Sequence, residues 1–325
     1  MLNVAMLSMW HVHADGYAAF VNQQSDAKVT CIWDDDPVRG QAAAEKHRAA
    51  FVPDLAALLA RPDVDAVIVD APTSDHYAVI GQAAEAGKHI FTEKVLAPLT
   101  SECVSLKQAI EKSGVTFAIS FPHLTSGALQ YVKTFISDGK LGRVTNLRAR
   151  NVHNGCEWLP ERWYDMAKTC GGAMMDLGAH PNYIALYLLG KPARVTSVFN
   201  TVRCPEGVDD NTVSLVEFEN KAIAIVESGF VTPVSPNTLE IEGTEGAIVV
   251  EGGRVRYHTR QSGVDGWVTP VRLPPPEAPV MRQWMDAILY GTPLPERYGI
   301  DAAVALTELM EAEYDAQRQS RTMVL

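Results

Sequence analysis

The sequence lacks the features that mark nucleic-acid-binding, membrane-spanning or secreted proteins. Its 28 Lys and Arg are outnumbered by 39 Asp and Glu, so the 325 residues carry a formal net charge of −11. That charge leaves no basic field for nucleic acid or an anionic membrane surface. No apolar run approaches the ~18 residues that cross a bilayer, and residues 2–7 have no basic lead or small-residue cleavage site. We therefore expect a cytoplasmic protein whose partner is a small molecule.

Cysteine is also scarce. The five cysteines are odd in number, widely separated and never arranged as C-x-x-C. This pattern argues against a disulfide framework and against a structural zinc site. The sequence therefore predicts a protein of a reducing compartment. The five positions are Cys31, Cys103, Cys156, Cys170 and Cys204.

The first third of the chain alternates short β-rich apolar runs with segments of helical spacing. The runs lie at residues 3–7, 29–33, 66–69, 89–91 and 115–119. This alternation is typical of a parallel sheet with crossover helices. We predict an α/β fold whose N-terminal domain, residues 1–122, is a Rossmann-type doubly wound parallel sheet.

Residues 123–325 differ, because strand-like runs follow one another after residue 195. These runs lie at 196–202, 212–218, 222–228, 238–242, 247–251 and 254–258. They predict an α+β C-terminal domain with one large, mostly antiparallel open sheet. Since helices that cover one face leave the other available, we also expect a homo-oligomer, either a dimer or a tetramer.

Glycine is missing where a dinucleotide-binding turn needs it. Residues 8–13 read S-M-W-H-V-H instead of G-x-G-x-x-G, and the first glycine is Gly16. Glycine lets the backbone approach a pyrophosphate, so an indole at the middle position should obstruct that approach unless the turn is re-routed. The second run ends in D-D-D-P at residues 34–37. It places Asp34 where a carboxylate accepts both ribose hydroxyls of an adenosine, although a plain turn before proline is the alternative.

The His11-x-His13 pair in this turn offers a rival hypothesis, a metal-dependent hydrolase. Many barrel metallohydrolases begin their metal site with such a pair after the first strand. A barrel needs about eight strand–helix units, and the other histidines do not fall consistently at later strand ends. We therefore expect no catalytic metal at His11 and His13.

Two longer segments carry a family resemblance. Residues 63–76 read D-V-D-A-V-I-V-D-A-P-T-S-D-H, residues 86–95 read A-G-K-H-I-F-T-E-K-V, and residues 170–180 read C-G-G-A-M-M-D-L-G-A-H. They resemble the D-V-D-A-V-x-I-x-T-P-x-x-x-H…A-G-K-H-V-x-x-E-K-P and G-G-G-x-x-x-D-x-G-x-H motifs of the Gfo/Idh/MocA family, NAD(P)-dependent oxidoreductases similar to glucose–fructose oxidoreductase and inositol 2-dehydrogenase. The spacing of 18 between His76 and Lys94 is retained.

Two further departures from the family pattern accompany the missing glycines. Val95 stands in place of the proline of E-K-P, and Cys170 in place of the first glycine of G-G-G. Because only proline makes a cis peptide bond cheap, Val95 argues against a cis bond before it. Weaker similarity extends over nearly the whole chain.

The resemblance implies hydride transfer between NAD(H) and a hydroxyl or ketone of a sugar, glycoside or cyclitol. Lys94 and His180 would be the acid–base groups, and Asp176 would orient one of them. Asp176 and His180 are four residues apart, so on one helix over 174–189 they share a face. The Asp residues at 34–36 would repel a 2′-phosphate, with no Arg or Lys following at once, which favours NAD(H) over NADP(H).

The predicted site residues follow from these motifs. The cofactor-binding residues are Ser8, Trp10, His11, Val12, Asp34, Pro72, Thr73, His76, Glu93 and Lys94. The substrate-binding residues, which suit a neutral polyhydroxylated ring, are His123, Asn154, Trp158, Arg162, Trp163, Asp176 and His180. A nucleotide sensor without chemistry is the remaining alternative, and the retained catalytic set Lys94, Asp176 and His180 speaks against it.

Overall fold

The chain folds into two compact units, each built from two stretches of sequence. The computed structural model describes residues 1–235 and 237–325. The first unit combines Met1–Ser120 with Pro279–Thr307, and the second combines Phe121–Ala278 with Glu308–Leu325. The predicted boundary at residue 122 assigned everything after it to the second domain. The chain instead returns to the first unit at Pro279, because Arg282 and Trp284 bond to residues of that unit.

The first unit contains a six-stranded sheet in the order β3-β2-β1-β4-β5-β6, in which every pair of neighbours is parallel. Its interior strands are apolar on both faces because crossover helices cover both faces. The predicted doubly wound sheet is confirmed. The strands are β1 Leu2–Leu7, β2 Ala27–Trp33, β3 Ala50–Phe51, β4 Ala66–Val69, β5 His89–Thr92 and β6 Phe117–Ile119. The helices are α1 Ala14–Asn22, α2 Pro37–His47, α3 Leu55–Leu59, α4 His76–Glu85, α5 Thr100–Ser113 and α10 Val280–Tyr290.

The second unit contains an eight-stranded sheet in the order β13-β12-β11-β7-β10-β9-β8-β14. Only β7 and β10 pair in parallel; the other described pairs are antiparallel, as predicted. The strands are β7 Val144–Val152, β8 Pro192–Asn200, β9 Asn211–Phe218, β10 Ile223–Gly229, β11 Thr238–Gly243, β12 Gly246–Glu251, β13 Arg254–Thr259 and β14 Met323–Val324. The helices are α6 Gly127–Ser137, α7 Met166–Thr169, α8 Ala173–Asp176, α9 Ala179–Leu189 and, shared with the first unit, α11 Ile300–Gln319.

The central strands of this second sheet alternate between buried and exposed residues. On β8 and β9 the exposed apolar residues are Val198, Val213 and Leu215, and Val198 pairs directly with Val213. A period of two places such residues on one face of the sheet. The apolar surface accords with the expected homo-oligomer, which stays a prediction. No helix within residues 1–235 and 237–325 is both long and apolar enough to span a membrane.

Helix α10 joins the first unit through one cation and one indole. The Arg282 guanidinium donates to both carboxylate oxygens of Asp26, at 2.9 and 3.0 Å, and also to Asp286. Hydrogen bonds from Arg282 and Tyr290 lower the pKa of Asp26 to about 2. The Trp284 side chain is fully buried, and its Nε1 donates to the Thr116 carbonyl at 3.2 Å. Apolar burial and a multidentate ion pair therefore fix α10 beside the parallel sheet.

We predict that Arg282→Met lowers the free energy of unfolding by about 1.5–3 kcal/mol, because it removes charge-assisted hydrogen bonds while keeping an apolar stem. Folding lowers the pKa of Asp26. The ion pair with Arg282 therefore stabilises the fold fully above the unfolded pKa of about 4, and this stabilisation fades as pH falls towards 2. Denaturant unfolding of both proteins from pH 7 to pH 3 measures this. The matched control is Arg61→Met, in a more exposed pair with Asp63, where solvent screening makes the expected loss of stability much smaller. Equal losses in the two variants would contradict the assignment.

Candidate active site

The carboxyl ends of four neighbouring strands carry most of the predicted cofactor-binding residues. Strands β2, β1, β4 and β5 are consecutive in the sheet, and this edge of a doubly wound sheet is where ligands bind. Ser8, Trp10, His11 and Val12 follow β1, Asp34 follows β2, Pro72, Thr73 and His76 follow β4, and Glu93 and Lys94 follow β5. The topology therefore brings these residues to one edge.

The first turn follows a route that places no glycine at residues 8–13. Ser8 adopts a left-handed backbone with φ of 73°, a conformation that glycine usually supplies. The Ser8 hydroxyl accepts the main-chain N–H of Trp10 at 3.2 Å. Trp10 is only 5% exposed, so its indole is buried. This turn therefore forms with a left-handed serine in place of a glycine.

The main-chain N–H groups of this turn bond within the protein. Met9 N–H donates to the Asp34 carboxylate at 2.7 Å, and His11 N–H donates to the Asp70 carbonyl at 3.1 Å. His13 N–H donates to His11 Nδ1 at 3.2 Å. The backbone of this turn is therefore held by the residues that follow β2 and β4.

Asp34 is a buried carboxylate with a protein cation beside it. Arg39, in the first turn of α2, donates to both Asp34 oxygens at 3.0 and 2.5 Å and also to Asp35 at 2.6 Å. Asp36 N–H donates to Asp34 as well, at 2.8 Å. In the sequence, no Arg or Lys follows the three aspartates at once. In the structure, the first turn of α2 brings Arg39 back to Asp34 and Asp35. Asp34 thus anchors the first turn through the Met9 N–H.

Glu93 is the electrostatic centre of the strand ends. His13 Nδ1 lies 2.9 Å from Glu93 Oε1, and the Tyr17 hydroxyl donates to the same oxygen. Lys94 N–H donates to Oε2 at 3.1 Å. Burial alone would raise the pKa of Glu93, but the nearby His11, His13 and Lys94 hold this pKa well below its usual range. Glu93 is therefore an anion bound by neighbouring donors.

Tyr17 and Asp70 belong to this cluster, and the sequence reasoning missed both. The Tyr17 hydroxyl lies 2.7 Å from Ser120 Oγ in addition to bonding Glu93, and burial followed by the Glu93 charge raises its pKa well above the usual value. Asp70 directly follows β4 and is fully buried, so burial and the Glu93 charge raise its pKa well above the usual value. Asp70 fills an unspecified position of the family motif, and Tyr17 follows His13 by one helical turn; these were the available signals.

His76 acts as a strut between two loops. Its Nδ1 lies 2.7 Å from the Val95 carbonyl and its Nε2 lies 3.0 Å from the Ala71 carbonyl, with the ring buried. Burial lowers the pKa of His76, so a neutral ring donates to one carbonyl at a time. The Lys94–Val95 peptide bond is cis, contrary to the expectation from the missing proline. His76 thus positions the Glu93–Lys94 segment through its hydrogen bond to the Val95 carbonyl.

In the second unit, Asp176 and His180 do not lie on one continuous helix. Asp176 ends α8, and α9 begins at Ala179. The single predicted helix over 174–189 is therefore wrong. Residues 177 and 178 keep right-handed helical dihedral angles, but their N–H groups both donate to the Ala173 carbonyl, which interrupts the regular hydrogen-bond ladder. Asp176 accepts Trp163 Nε1–H at 3.4 Å, whereas His180 Nδ1 lies 2.9 Å from the Tyr183 hydroxyl. The two residues are thus held by different partners.

Tyr183 organises two predicted histidines, and the sequence reasoning missed it. Its hydroxyl accepts the main-chain N–H of His123 at 3.2 Å and lies 2.9 Å from His180 Nδ1. The rings of His123 and His180 are edge to face with centroids 4.7 Å apart, and Tyr183 stacks on Phe121 at 4.5 Å. The spacing of three residues from His180 on a helix was the available signal.

Gly172 allows a close backbone contact with Asp209. A Cβ on Gly172 would lie 2.1 Å from the Asp209 carbonyl oxygen. The Asp209 carboxylate accepts N–H bonds from Gly172 and Met174, both at 2.8 Å. This carboxylate satisfies N–H groups at the start of α8 and so fixes the segment that carries Asp176.

The remaining predicted substrate residues lie in one segment, 153–164, which contains two short 3₁₀ turns. Trp163 is buried, while Trp158 is 53% exposed and its ring lies 5.0 Å from that of His153. Asn154 donates to Glu157 at 2.8 Å, and the Arg162 guanidinium lies 5.8 Å from the Trp163 ring centroid. Trp158 therefore presents an aromatic surface, whereas Trp163 is part of the core.

A disulfide tethers this segment to the loop after β8. Cys156 and Cys204 are bonded across 48 residues of sequence, and Arg203 forms an ion pair with Glu157 at 2.6 Å. The prediction that the cysteines form no disulfide is therefore wrong. The number and spacing of the cysteines do not reveal that the fold brings these two loops together. The remaining three cysteines are free thiols.

Comparison with known proteins identifies the two parts of the chain. A sequence model described as "Oxidoreductase family, NAD-binding Rossmann fold" matches residues 11–121. A model described as "GFO/IDH/MocA C-terminal domain" matches residues 129–249. Together these matches cover well over half of the chain.

Individual relatives agree with this result. The scyllo-inositol 2-dehydrogenase (NAD(+)) of Bacillus subtilis strain 168 is 31% identical over 242 residues, which span 71% of this chain and 68% of the relative. The 2,7-anhydro-N-acetylneuraminate hydratase of Escherichia coli K12 is 29% identical over 258 residues, 77% of this chain and 68% of the relative. The crystal structure of the Caulobacter crescentus aldose–aldose oxidoreductase has the same fold, with a TM-score of 0.84 at 23% identity over 100% of this chain and 99% of that one.

Proposed function

The chain belongs to the GFO/IDH/MocA family of NAD-binding oxidoreductases, and we propose that it interconverts a hydroxyl and a ketone on a neutral sugar, glycoside or cyclitol. One observation carries the proposal. Glu93 and Lys94, in the segment that retains the family motif, are buried directly after β5 at the ligand-binding edge of the parallel sheet.

The residues at this edge fit a dinucleotide at its two ends. Asp34, directly after β2, offers a carboxylate for the adenosine ribose. Glu93 and Lys94 would hold the nicotinamide end. The pyrophosphate would contact a turn whose Met9 and His11 N–H groups bond within the protein, so its binding differs from that of a glycine loop. When bound, the nicotinamide supplies the hydride acceptor or donor.

Lys94 is proposed to move the proton. Removing hydride from a carbinol requires removal of the hydroxyl proton, and the reverse reaction requires its return to the oxygen. Lys94 Nζ would hold the substrate oxygen and exchange this proton. Glu93 positions the segment through its bond to the Lys94 N–H, and His76 holds it through the Val95 carbonyl. Lys94 is thus presented by a rigid, buried support.

The second unit is proposed to bind the substrate. His180, fixed by Tyr183 at 2.9 Å, would bind a hydroxyl or relay the proton, and Asp176 would orient a catalytic group. Trp158 offers an apolar ring to one face of a sugar, and Asn154 offers an amide to its hydroxyls. Arg162 alone is a thin basis for binding a phosphate, which usually recruits several cations or a helix N-terminus.

We predict activity on neutral polyhydroxylated rings. The test incubates the protein and NAD with cyclitols, free aldoses, glycosides, sugar phosphates, carboxylated sugars and simple 2-hydroxy acids, and monitors reduced cofactor. Carboxylated sugars belong in the panel because one relative is named for an N-acetylneuraminate derivative. Turnover of any neutral ring supports the proposal and reveals the oxidised carbon. A strong preference for a phosphorylated or acyclic acid would refute the substrate class.

We predict that Lys94→Ala and His180→Ala each lower kcat by about two orders of magnitude or more, the size expected on losing an acid–base group. Asp176→Asn should cause a smaller loss, and so should Tyr183→Phe, which removes the hydroxyl that holds His180. Lys112→Ala on α5 is the matched control and should retain full turnover. Steady-state kinetics with separate measurement of NADH binding decides this, and near-normal turnover of Lys94→Ala would show that the proton is transferred elsewhere.

NAD(H) is proposed to be preferred over NADP(H). Asp34, Asp35 and Asp36 carry three negative charges near the expected ribose, and Arg39 compensates only one of them, so a 2′-phosphate would still be repelled. We predict that Asp34→Ala weakens NADH binding selectively and narrows the preference, because it releases Arg39 to meet the phosphate. Fluorescence titration with NADH and NADPH measures both dissociation constants, with Asp63→Asn as a surface control. Tighter NADPH binding by the unmodified protein would contradict the proposal.

A further inference from the structure

Three metal-ligating side chains meet beside the first turn. His11, His13 and Glu93 each offer one ligand atom, and these atoms all lie within 4.8 Å of one another. The two imidazole rings are edge to face with centroids 4.6 Å apart. His13 Nδ1 is 2.9 Å from Glu93 Oε1, a separation that two ligands of one ion can also have. The ends of β1 and β5 supply the three groups.

The chemistry of this set is specific. Two imidazoles and one carboxylate suit a divalent transition-metal ion such as Zn²⁺, whereas Ca²⁺ and Mg²⁺ prefer oxygen ligands alone. The expectation of no catalytic metal depended on the absence of later ligands at the positions where a barrel would supply them. Glu93 is a later candidate ligand, and it directly follows a parallel strand in a different fold.

Asp70 provides an independent observation at the same place. Neither of its carboxylate oxygens has a hydrogen-bond partner within the described residues, although both are buried. The Asp70 carbonyl accepts the His11 N–H, and the Glu93 N–H donates to the carbonyl of Val69, the residue before Asp70. A cation stabilises a buried carboxylate that has no hydrogen-bond partner, so a dication held by Glu93 and the two histidines would stabilise this carboxylate.

We propose that His11, His13 and Glu93 form a binding site for a divalent transition-metal ion of the Zn²⁺ class. On binding, His13 Nδ1 exchanges its bond with Glu93 for the ion, and the ring proton resides on Nε2; the side chain is 47% exposed. The ion takes no part in hydride transfer.

The metal and the dinucleotide compete, a consequence that rests on the proposed function because His11 and Glu93 are also predicted cofactor-binding residues. A metal ion held by both would occupy the edge where the nicotinamide end is expected. Zn²⁺ would therefore act as an inhibitor whose effect falls as NADH concentration rises.

The experiment titrates the chelator-treated full chain with Co²⁺, followed by its visible d–d absorption, and with Zn²⁺ by calorimetry. We expect one ion per chain. His13→Gln, at a half-exposed position, and His11→Gln should each weaken binding by at least about 10-fold, as should Glu93→Gln. The matched control is His47→Gln, which alters another His–carboxylate pair, 2.8 Å from Asp15, and should leave binding unchanged. Circular dichroism verifies that each variant is folded.

The outcomes separate the site from the proposed function. Absence of stoichiometric metal, or binding that His13→Gln leaves intact, would overturn the site. NADH titrations with and without Zn²⁺ should show a higher Kd for NADH when the metal is present, and an unchanged value would overturn the competition. A chain that binds Zn²⁺ through the three residues but binds no NADH supports the metal site and contradicts the proposed function.

Discussion

A carboxylate can be buried as an anion only if donors or cations surround it, and this requirement at Glu93 shapes the whole edge of the first sheet. His13 and Tyr17 bond one oxygen and the Lys94 N–H bonds the other. These donors come from the first turn, from α1 and from the residue after Glu93 itself. The anion therefore fixes the turn after β1 against the segment after β5, and it does so without glycine or a bound phosphate.

The second unit uses the same principle at Asp209. Its buried carboxylate accepts N–H bonds from Gly172 and Met174 and a hydroxyl bond from Tyr314. Because a Cβ at residue 172 would overlap the Asp209 backbone, the second glycine of the pair is a steric requirement of this contact. In each unit, one buried carboxylate thus holds a backbone segment beside a predicted catalytic residue. Glu93 bonds the N–H of Lys94, and Asp209 bonds the segment that leads to Asp176.

The sequence was sufficient for the fold class and the family, because both depend on local patterns. Alternating apolar runs predicted the parallel sheet, and the segment from His76 to Lys94 kept its spacing. The contacts that were missed join distant residues: Arg282 to Asp26, Cys156 to Cys204, and Tyr17 to Glu93. Periodicity carries no information about such pairs. The interruption between α8 and α9 was missed because it depends on a local hydrogen-bond irregularity, in which the N–H groups of Leu177 and Gly178 both donate to the Ala173 carbonyl.

Asp34 shows why a ligand-binding residue can also be a structural one. Its carboxylate accepts the Met9 N–H and the Arg39 guanidinium, so it holds the first turn before any ribose arrives. Replacing it would loosen the turn and free a cation at the same time. A loss of NADH affinity alone could not distinguish these effects, because both weaken binding. Their consequences differ in the ratio of NADH to NADPH affinity, since a loosened turn weakens both cofactors while a freed Arg39 favours the phosphorylated one.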